Sequence, residues 1–213
     1  MQISAQDVKD LRGRTGAGVM ACKRALGKAD GDSDKAAELL RAEGLVKAEG
    51  KMDREALEGT IGHYSHTGSR LGAMVEISSE TDFVAKTGEF QQLAHDLAMQ
   101  VAGMNPKFIS RDQVPGSLKE QEWSAHYTHA QTEGKSDGDS KKWADQRLNR
   151  FITEVCLLDQ PYTKDDSQTV SELIREHISK FGENIVVRRF ARFITGGEPS
   201  ICNGDESAPM QGK

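Results

Sequence analysis

Two histidines in the second half of the chain have a spacing that could bind a metal ion. His126 and His129 are three residues apart in a segment with helical patterning, so both rings can lie on one helix face. The chain contains no HExxH motif, the arrangement by which a helical histidine pair supports zinc-dependent hydrolysis. Exposed helix histidines explain the pair more simply. The sequence therefore disfavours a metal-dependent hydrolase, and we expect neither a bound metal nor a cofactor.

A glycine-rich run and three cysteines are the other groups that could do chemistry. The run from Gly13 to Gly18 begins like a phosphate-binding loop, but it lacks the Lys-Ser/Thr pair and no strand precedes it. Cys22, Cys156 and Cys202 are odd in number and far apart, which fits neither a disulfide framework nor a zinc site. No GxSxG motif is present. We expect no catalytic residue, and a protein that is not an enzyme.

Composition excludes several other classes of partner. The 213 residues carry a formal net charge of −5, and 29% of them are charged. A broad nucleic-acid surface would need clustered excess Lys and Arg, and the RRFAR run at 188–192 is better explained as the solvated face of a strand. No signal peptide and no apolar run of about 18 residues is present. The prediction is a cytoplasmic protein without membrane or direct nucleic-acid contact.

The most unusual stretch is SSETDFVAKTGEF at 78–90, where a strand-like run ends in acids and Phe83 follows at once. Two interpretations are open. Thr81 and Asp82 are good helix N-cap residues, which would orient Phe83 outward at the start of a helix. The helical periodicity instead makes Phe83 the first member of a buried stripe that continues through Phe90, Ala94, Leu97 and Val101.

The elements that would position this stretch divide the chain into four parts. Residues 1–46 are predicted to form three short helices, the third beginning at an N-cap Ser33 and ending before Gly44. Residues 47–58 are charged and weakly patterned, as in a linker. Residues 59–195 are predicted to form an α+β core, and residues 196–213 a disordered tail rich in Gly, Pro, Ser and acids.

The core prediction rests on strands and helices that segregate along the chain rather than alternate. Alternating apolar and polar residues predict strands, and the longer periodic segments predict helices. The predicted strands are 60–66, 70–78 and 185–194, and the predicted helices are 82–102, 117–133, 140–158 and 170–180. This order indicates a small antiparallel sheet with packed helices.

Three segments of the chain stand out as long motifs: the run LRGRTGAGVMACKRAL at 11–26, the run ETDFVA at 80–85 and the run FGENIVVRR at 181–189. They resemble the signatures of the bacterial elongation factor Ts family. Their order, spacing and helical context agree over residues 3–195. Longer members of that family carry two related core subdomains, whereas this chain resembles the shorter form with one.

The resemblance implies a function. Members of the family release GDP from elongation factor Tu, so Tu is the expected partner. The amino-terminal helices would have a ubiquitin-associated-like fold and dock on Tu through Arg12, Val19, Met20 and Lys23. The core would present Thr81, Asp82, Phe83 and Val84 to disturb the magnesium and phosphate site of Tu, with Phe181 and Gly182 as further contacts. A second copy of the chain could supply the missing subdomain, which makes residues 59–195 a dimerisation-type core.

An alternative function uses the same elements without nucleotide exchange. The amino-terminal helices could form a helix- or peptide-binding scaffold, with the core serving only to dimerise. The two functions differ at Phe83. A buried Phe83 would belong to the chain's own core, whereas an exposed one would be free to enter a partner.

Overall fold

The computed structural model describes residues 3–204, and within them the chain forms eight α-helices and six β-strands. The helices are α1 (Ala5–Thr15), α2 (Val19–Lys28), α3 (Ser33–Glu49), α4 (Asp82–Ala85), α5 (Gly88–Met104), α6 (Gly116–Thr132), α7 (Asp137–Val155) and α8 (Val170–Phe181). The strands are β1 (Glu58–Ser65), β2 (Leu71–Ser79), β3 (Pro161–Tyr162), β4 (Asp165–Thr169), β5 (Ile185–Ile194) and β6 (Ser200–Asn203). The α+β class is confirmed. No helix in this part of the chain is long and apolar enough to cross a membrane.

Helices α1 to α3 share a small hydrophobic cluster of their own. Ser4 caps α1 in a reciprocal pair with Asp7, and Gly16 ends that helix with a left-handed φ of 68°. Leu11, Cys22 and Leu26 are fully buried between the three helices. Few large apolar side chains contribute, so this unit has a modest core.

The third helix differs from its prediction at both ends. Its N-cap is Asp32 rather than Ser33, and the helix continues through Gly44 to Glu49, into the segment predicted as a linker. Gly44 does not end the helix because its role is close packing. A Cβ there would lie 2.9 Å from Ser179 Oγ of α8. The last turn of α3 reaches the core, where Ala48 is fully buried.

The core is a four-stranded antiparallel sheet in the order β1-β2-β5-β6, with α5 packed on one face. Val75, Ile77 and Phe190 point from the sheet toward that helix and are buried. Strand β1 approaches α5 so closely that a Cβ on Gly62 would collide with the backbone of Ala94, 2.1 Å from its oxygen. Only glycine fits there.

Two predictions about the chain after residue 80 were wrong, and one short element was missed. Residues 196–204 are not a disordered tail, because Ser200–Asn203 forms β6 against β5 and buries Cys202 beneath it. The rest of the predicted tail, 205–213, lies outside the described residues. The short hairpin β3–β4 was also missed, and the helix predicted over 82–102 is two helices separated by Thr87.

Helix α8 connects the amino-terminal helices to the core. It packs against α3, and Arg41 of α3 contacts Glu176 at 2.7 Å and donates to Gln168 at 3.1 Å. Its other side carries Ile174 and Ile178 into the core cluster. The position of α1 to α3 relative to the sheet is therefore set by α8, together with Ala48 in the core cluster and the Arg41–Gln168 contact to β4.

Candidate functional site

Phe83 is exposed at the tip formed by the end of β2 and the single turn of α4. Its exposed fraction is 79%, the highest of any large apolar side chain that the structure describes. Phe90, Ala94, Leu97 and Val101 are all fully buried. The stripe is therefore real but begins at Phe90, and the interpretation of Phe83 as a core residue was wrong.

Thr81 fixes the turn that carries Phe83. Its Oγ1 accepts a long hydrogen bond from the backbone N–H of Val84, at 3.5 Å, and so caps α4. Its own N–H and hydroxyl both donate to the carboxylate of Glu183, at 3.0 and 2.7 Å. The direction of α4 is thus set by a residue 102 positions away in sequence.

Asp82 and Val84, the other predicted residues at the tip, have different surroundings. Asp82 is exposed and pairs with Lys86 at 2.5 Å, and this hydrogen bond and charge hold the pKa of Asp82 below its usual value. Asp82 therefore presents a carboxylate beside the phenyl ring. Val84 is buried in the core cluster and anchors α4.

Phe181 and Gly182 lie at the end of α8, on the same side of the sheet as the tip. Phe181 is half-buried, with its ring edge-on to Phe90 at a centroid distance of 6.2 Å, so it packs largely on the chain's own core. Gly182 ends α8 with a φ of 79°, which directs Glu183 back toward Thr81. Gly182 therefore contributes to the tip by placing Glu183 within hydrogen-bond distance of Thr81.

Four of the predicted docking residues lie on α1 and the first half of α2. Val19 and Met20 are 50% and 64% exposed in the first turn of α2, and Arg12 and Lys23 are exposed beside them in sequence. Neither cation forms an ion pair within residues 3–204. Two free cations and two exposed apolar side chains form a surface suited to a partly acidic, partly apolar partner.

The histidine pair belongs to an aromatic cluster on the α6–α7 hairpin. The rings of His126 and His129 lie 5.4 and 5.5 Å from Trp143, and each histidine is also near a glutamate of its own helix, Glu122 or Glu133. Over the described residues, no group of three potential ligands could hold a metal ion.

The buried thiols are poorly suited to nucleophilic chemistry. Cys22, Cys156 and Cys202 are all buried and free. Burial raises the pKa of Cys156 to about 11 and also raises the pKa of Cys202. The exposed groups instead form two surfaces suited to protein binding: the tip around Phe83 and the start of α2.

Glu183 and Asn184 contribute to the tip and were missed as site residues. Glu183 receives both donors of Thr81, and the backbone N–H of Asn184 donates to Glu80 at 2.7 Å. Both follow Gly182 directly, within a segment recognised only by resemblance. The signal that could have found them is the pairing of β2 with β5, and a single sequence does not reveal which strands pair.

Comparison with known proteins gives concordant matches. The family model described as Elongation factor TS matches residues 48–178. Elongation factor Ts from Syntrophomonas wolfei subsp. wolfei is 47% identical over 194 residues, covering 91% of this chain and 91% of that protein. The protein of the same name from Carboxydothermus hydrogenoformans is 49% identical over 194 residues, covering 91% and 89%. The one from Thermoanaerobacter sp. is 47% identical over 194 residues, covering 91% and 95%.

Proposed function

The chain belongs to the elongation factor Ts family, and we propose that it binds the GDP form of elongation factor Tu and accelerates the release of GDP. In this role the protein makes and breaks no covalent bond. We propose that it acts in the cytoplasm, in translation elongation.

The exposed phenyl ring of Phe83 is the observation that carries this proposal. An apolar ring with 79% of its surface exposed has no stabilising role in its own fold, yet its turn is capped and held by long-range hydrogen bonds. Such an arrangement suits a ring that enters a partner without changing direction. In the proposed complex it wedges between two helices of Tu and displaces the groups that hold magnesium and the phosphate loop.

The free energies require more than this one contact. A thousandfold faster release of GDP needs about 4 kcal/mol from the activation barrier. Complete burial of one phenylalanine yields about 1.5–3 kcal/mol. The remainder comes from docking contacts that are distant from the nucleotide and offset the cost of distorting Tu. By thermodynamic linkage, GDP must weaken the binding of this protein to Tu by the same factor as the protein weakens GDP binding.

We assign the docking contacts to the amino-terminal helices. Val19 and Met20 supply exposed apolar surface, and Arg12 and Lys23 supply unpaired charge. The unit formed by α1 to α3 is proposed to have the ubiquitin-associated-like fold, with residues 1–46 and 59–195 acting as two functional domains. Phe181 and Gly182 are proposed to extend the contact of the core with Tu.

The outer face of the sheet is the proposed surface for a homodimer. Helix α5 covers one face, while Ile61, Met74, Phe193 and Ile201 are exposed on the other. Strand register places Met74 opposite Ala191 and Ala191 opposite Ile201, so these apolar residues form a row across the sheet. A second copy of this face would cover the row and supply the subdomain that longer family members carry in one chain.

The exchange activity is tested by release of a fluorescent GDP analogue from purified bacterial Tu. The intact protein is compared with Phe83→Ala and with Leu57→Ala, a control that truncates another apolar side chain of similar exposure (74%). We expect fast release with the intact protein and Leu57→Ala, and slow release with Phe83→Ala at an unchanged melting temperature. An intact protein that fails to accelerate release would contradict the proposal and favour the scaffold alternative.

The dimer is tested by sedimentation equilibrium over a range of concentrations. Met74→Lys puts a charge in the middle of the exposed row, and we expect it to shift a dimer toward monomer. Met104→Lys, at an exposed position at the end of α5, serves as the matched control. A monomeric intact protein at all concentrations would exclude the homodimer.

A further inference from the structure

We propose that Glu183 is a positioning residue for nucleotide exchange, acting through Thr81 to hold Phe83 in the direction that the wedge requires. This inference rests on the proposed exchange function and adds to it a residue that does not itself touch the nucleotide site. It concerns the maximal rate of GDP release rather than the affinity for Tu.

The contact follows from the register of β2 and β5. Ser79 is the last residue of β2 and pairs with Ile185, the first residue of β5. Continuing the same antiparallel register places Glu80 opposite Asn184 and Thr81 opposite Glu183. At these two positions side-chain carboxylates continue the pairing, because Glu80 accepts from the N–H of Asn184 and Glu183 accepts from the N–H of Thr81.

Every polar group of Thr81 is held. The N–H and the hydroxyl donate to the two oxygens of Glu183, and the carbonyl accepts from the hydroxyl of Ser79 at 2.9 Å and from the N–H of Ala85 at 3.3 Å. Ser79 is fully buried, so this contact ties the turn to the sheet. Hydrogen bonds to a charged acceptor are the stronger kind.

A helix of four residues cannot hold its own direction. Helix α4 is a single turn, and a single turn is unstable without capping or packing. Val84 and Ala85 anchor its inner side, whereas its outer side carries Asp82 and Phe83 and is held by the Thr81 cap and by the exposed pair of Asp82 with Lys86, which lies within the same turn. Glu183 determines whether that cap stays in place.

The segment that carries Glu183 is itself fixed. The side chain of Asn184 is almost fully buried and donates to the carbonyls of Met52 and Arg54 at 2.9 and 2.6 Å. Gly182 provides the left-handed turn immediately before it. Glu183 therefore joins a segment that is fixed by buried hydrogen bonds to the first residue of a single-turn helix, and in this sense it acts as a brace.

The contact between Glu183 and Thr81 matters when Phe83 is inserted into Tu. Insertion distorts Tu, and Tu exerts an opposing force on the turn that carries Phe83. If the turn is displaced by that force, Tu is distorted less at the nucleotide site. Loss of the brace should therefore lower the maximal rate of GDP release. The concentration of protein that gives half of that rate should change little, because the docking residues on α1 and α2 are untouched.

The test uses Glu183→Ala, Glu183→Gln, Thr81→Val and the double variant Thr81→Val with Glu183→Ala. Glu120→Gln, an exposed glutamate on α6, is the control for loss of one negative charge. GDP release is measured over a range of protein concentrations, so that maximal rate and half-saturation are obtained separately. Amide hydrogen exchange of the peptide spanning 79–86 reports the order of the turn without Tu.

We expect Glu183→Ala to lower the maximal rate about tenfold, equivalent to about 1.4 kcal/mol, with half-saturation and melting temperature unchanged. Glu183→Gln keeps one acceptor for Thr81 and should fall between Glu183→Ala and the intact protein. Residues 79–86 should exchange faster in Glu183→Ala. In the Thr81→Val background, Glu183→Ala should have a smaller effect, because one of its two donors is already gone.

Other outcomes would overturn the inference. If Glu183→Ala lowers the rate equally with and without Thr81→Val, or raises the half-saturating concentration, Glu183 contacts Tu directly. If Phe83→Ala abolishes exchange while Glu183→Ala behaves as the intact protein, the brace is wrong and the exchange function stands. If the intact protein does not accelerate release, the exchange function has failed, and the hydrogen-exchange comparison still decides whether Glu183 orders the turn.

Discussion

The tip around Phe83 and the start of α2 both expose apolar side chains, but the two regions are supported in different ways. Helix α4 has a threonine cap that is held from the far end of the chain, whereas α2 begins at Gly18 with no side-chain cap. The turn that carries Phe83 is anchored in the main core by Val84 and Ala85, whereas Val19 and Met20 lie on a unit with a small core. Because the turn of Phe83 is held in place, its ring can distort a partner, whereas the less restrained surface at the start of α2 can contribute binding affinity.

The largest difference that this comparison predicts is between two phenylalanines seven residues apart. Phe90 is fully buried and Phe83 is not. Phe90→Ala should lower the free energy of unfolding by about 3–5 kcal/mol, and Phe83→Ala should change it by less than about 0.5 kcal/mol. Urea unfolding followed by circular dichroism measures both. A large loss of stability in Phe83→Ala would place its ring in the chain's own core after all.

Sequence reasoning succeeded where the signal is local. Strand β5 was predicted over 185–194 and occupies Ile185–Ile194, because its alternation and the preceding Gly182 are both short-range features. Helix α8 ends within one residue of its predicted end for the same reason. The buried stripe of α5 was also found from its period, from Phe90 onward.

The errors occurred where a distant segment decides the structure. Gly44 was taken as a helix end, but α3 continues through it, and the absence of a side chain there leaves room for the close approach of Ser179 from α8. Ser200–Asn203 has little strand propensity of its own and is ordered by the edge of β5. The stripe interpretation of Phe83 stayed open because the second cap, Thr87, which accepts from the N–H of Phe90 at 3.2 Å, was not recognised as the start of a new helix.

The second prediction tests whether the start of α2 contributes affinity for Tu. Changing Val19 and Met20 together to Ser removes exposed apolar surface from the start of α2, which we expect to raise the half-saturating concentration about tenfold, or about 1.4 kcal/mol. The maximal rate of GDP release should stay the same, because the tip is intact. Val46→Ser, at an apolar position on α3 that is more exposed than either, is the control. A fall in maximal rate would mean that both regions act on the nucleotide site.

The third prediction compares a glycine of each region. Gly182 has a φ of 79°, so Gly182→Ala should cost about 1–2 kcal/mol of stability and misplace Glu183. Gly13 lies inside α1 with open space around it, so Gly13→Ala should instead stabilise by about 0.5–1 kcal/mol. Thermal melts give the two signs, and GDP release should slow only for Gly182→Ala. Equal stability of both variants would show that the turn before Glu183 tolerates a side chain.

The smallest expected effect lies at the junction between the two regions. Arg41 of α3 and Glu176 of α8 are each more than a third exposed, and pairs of this kind contribute about 0–1 kcal/mol. A double-mutant cycle with Arg41→Met and Glu176→Gln should give a coupling free energy within that range, and it should shrink at 1 M salt, where the screening length is about 3 Å.

The junction bears on function because α8 also ends at Gly182, the turn that precedes Glu183. If the cycle shows coupling in stability and none in the maximal rate of GDP release, the amino-terminal helices deliver affinity alone. If the maximal rate of GDP release is coupled as well, contacts made by the amino-terminal helices with Tu affect the position of Glu183 through α8. Salt would then reduce the maximal rate by a larger factor in the intact protein than in Arg41→Met, because the variant has already lost this pair.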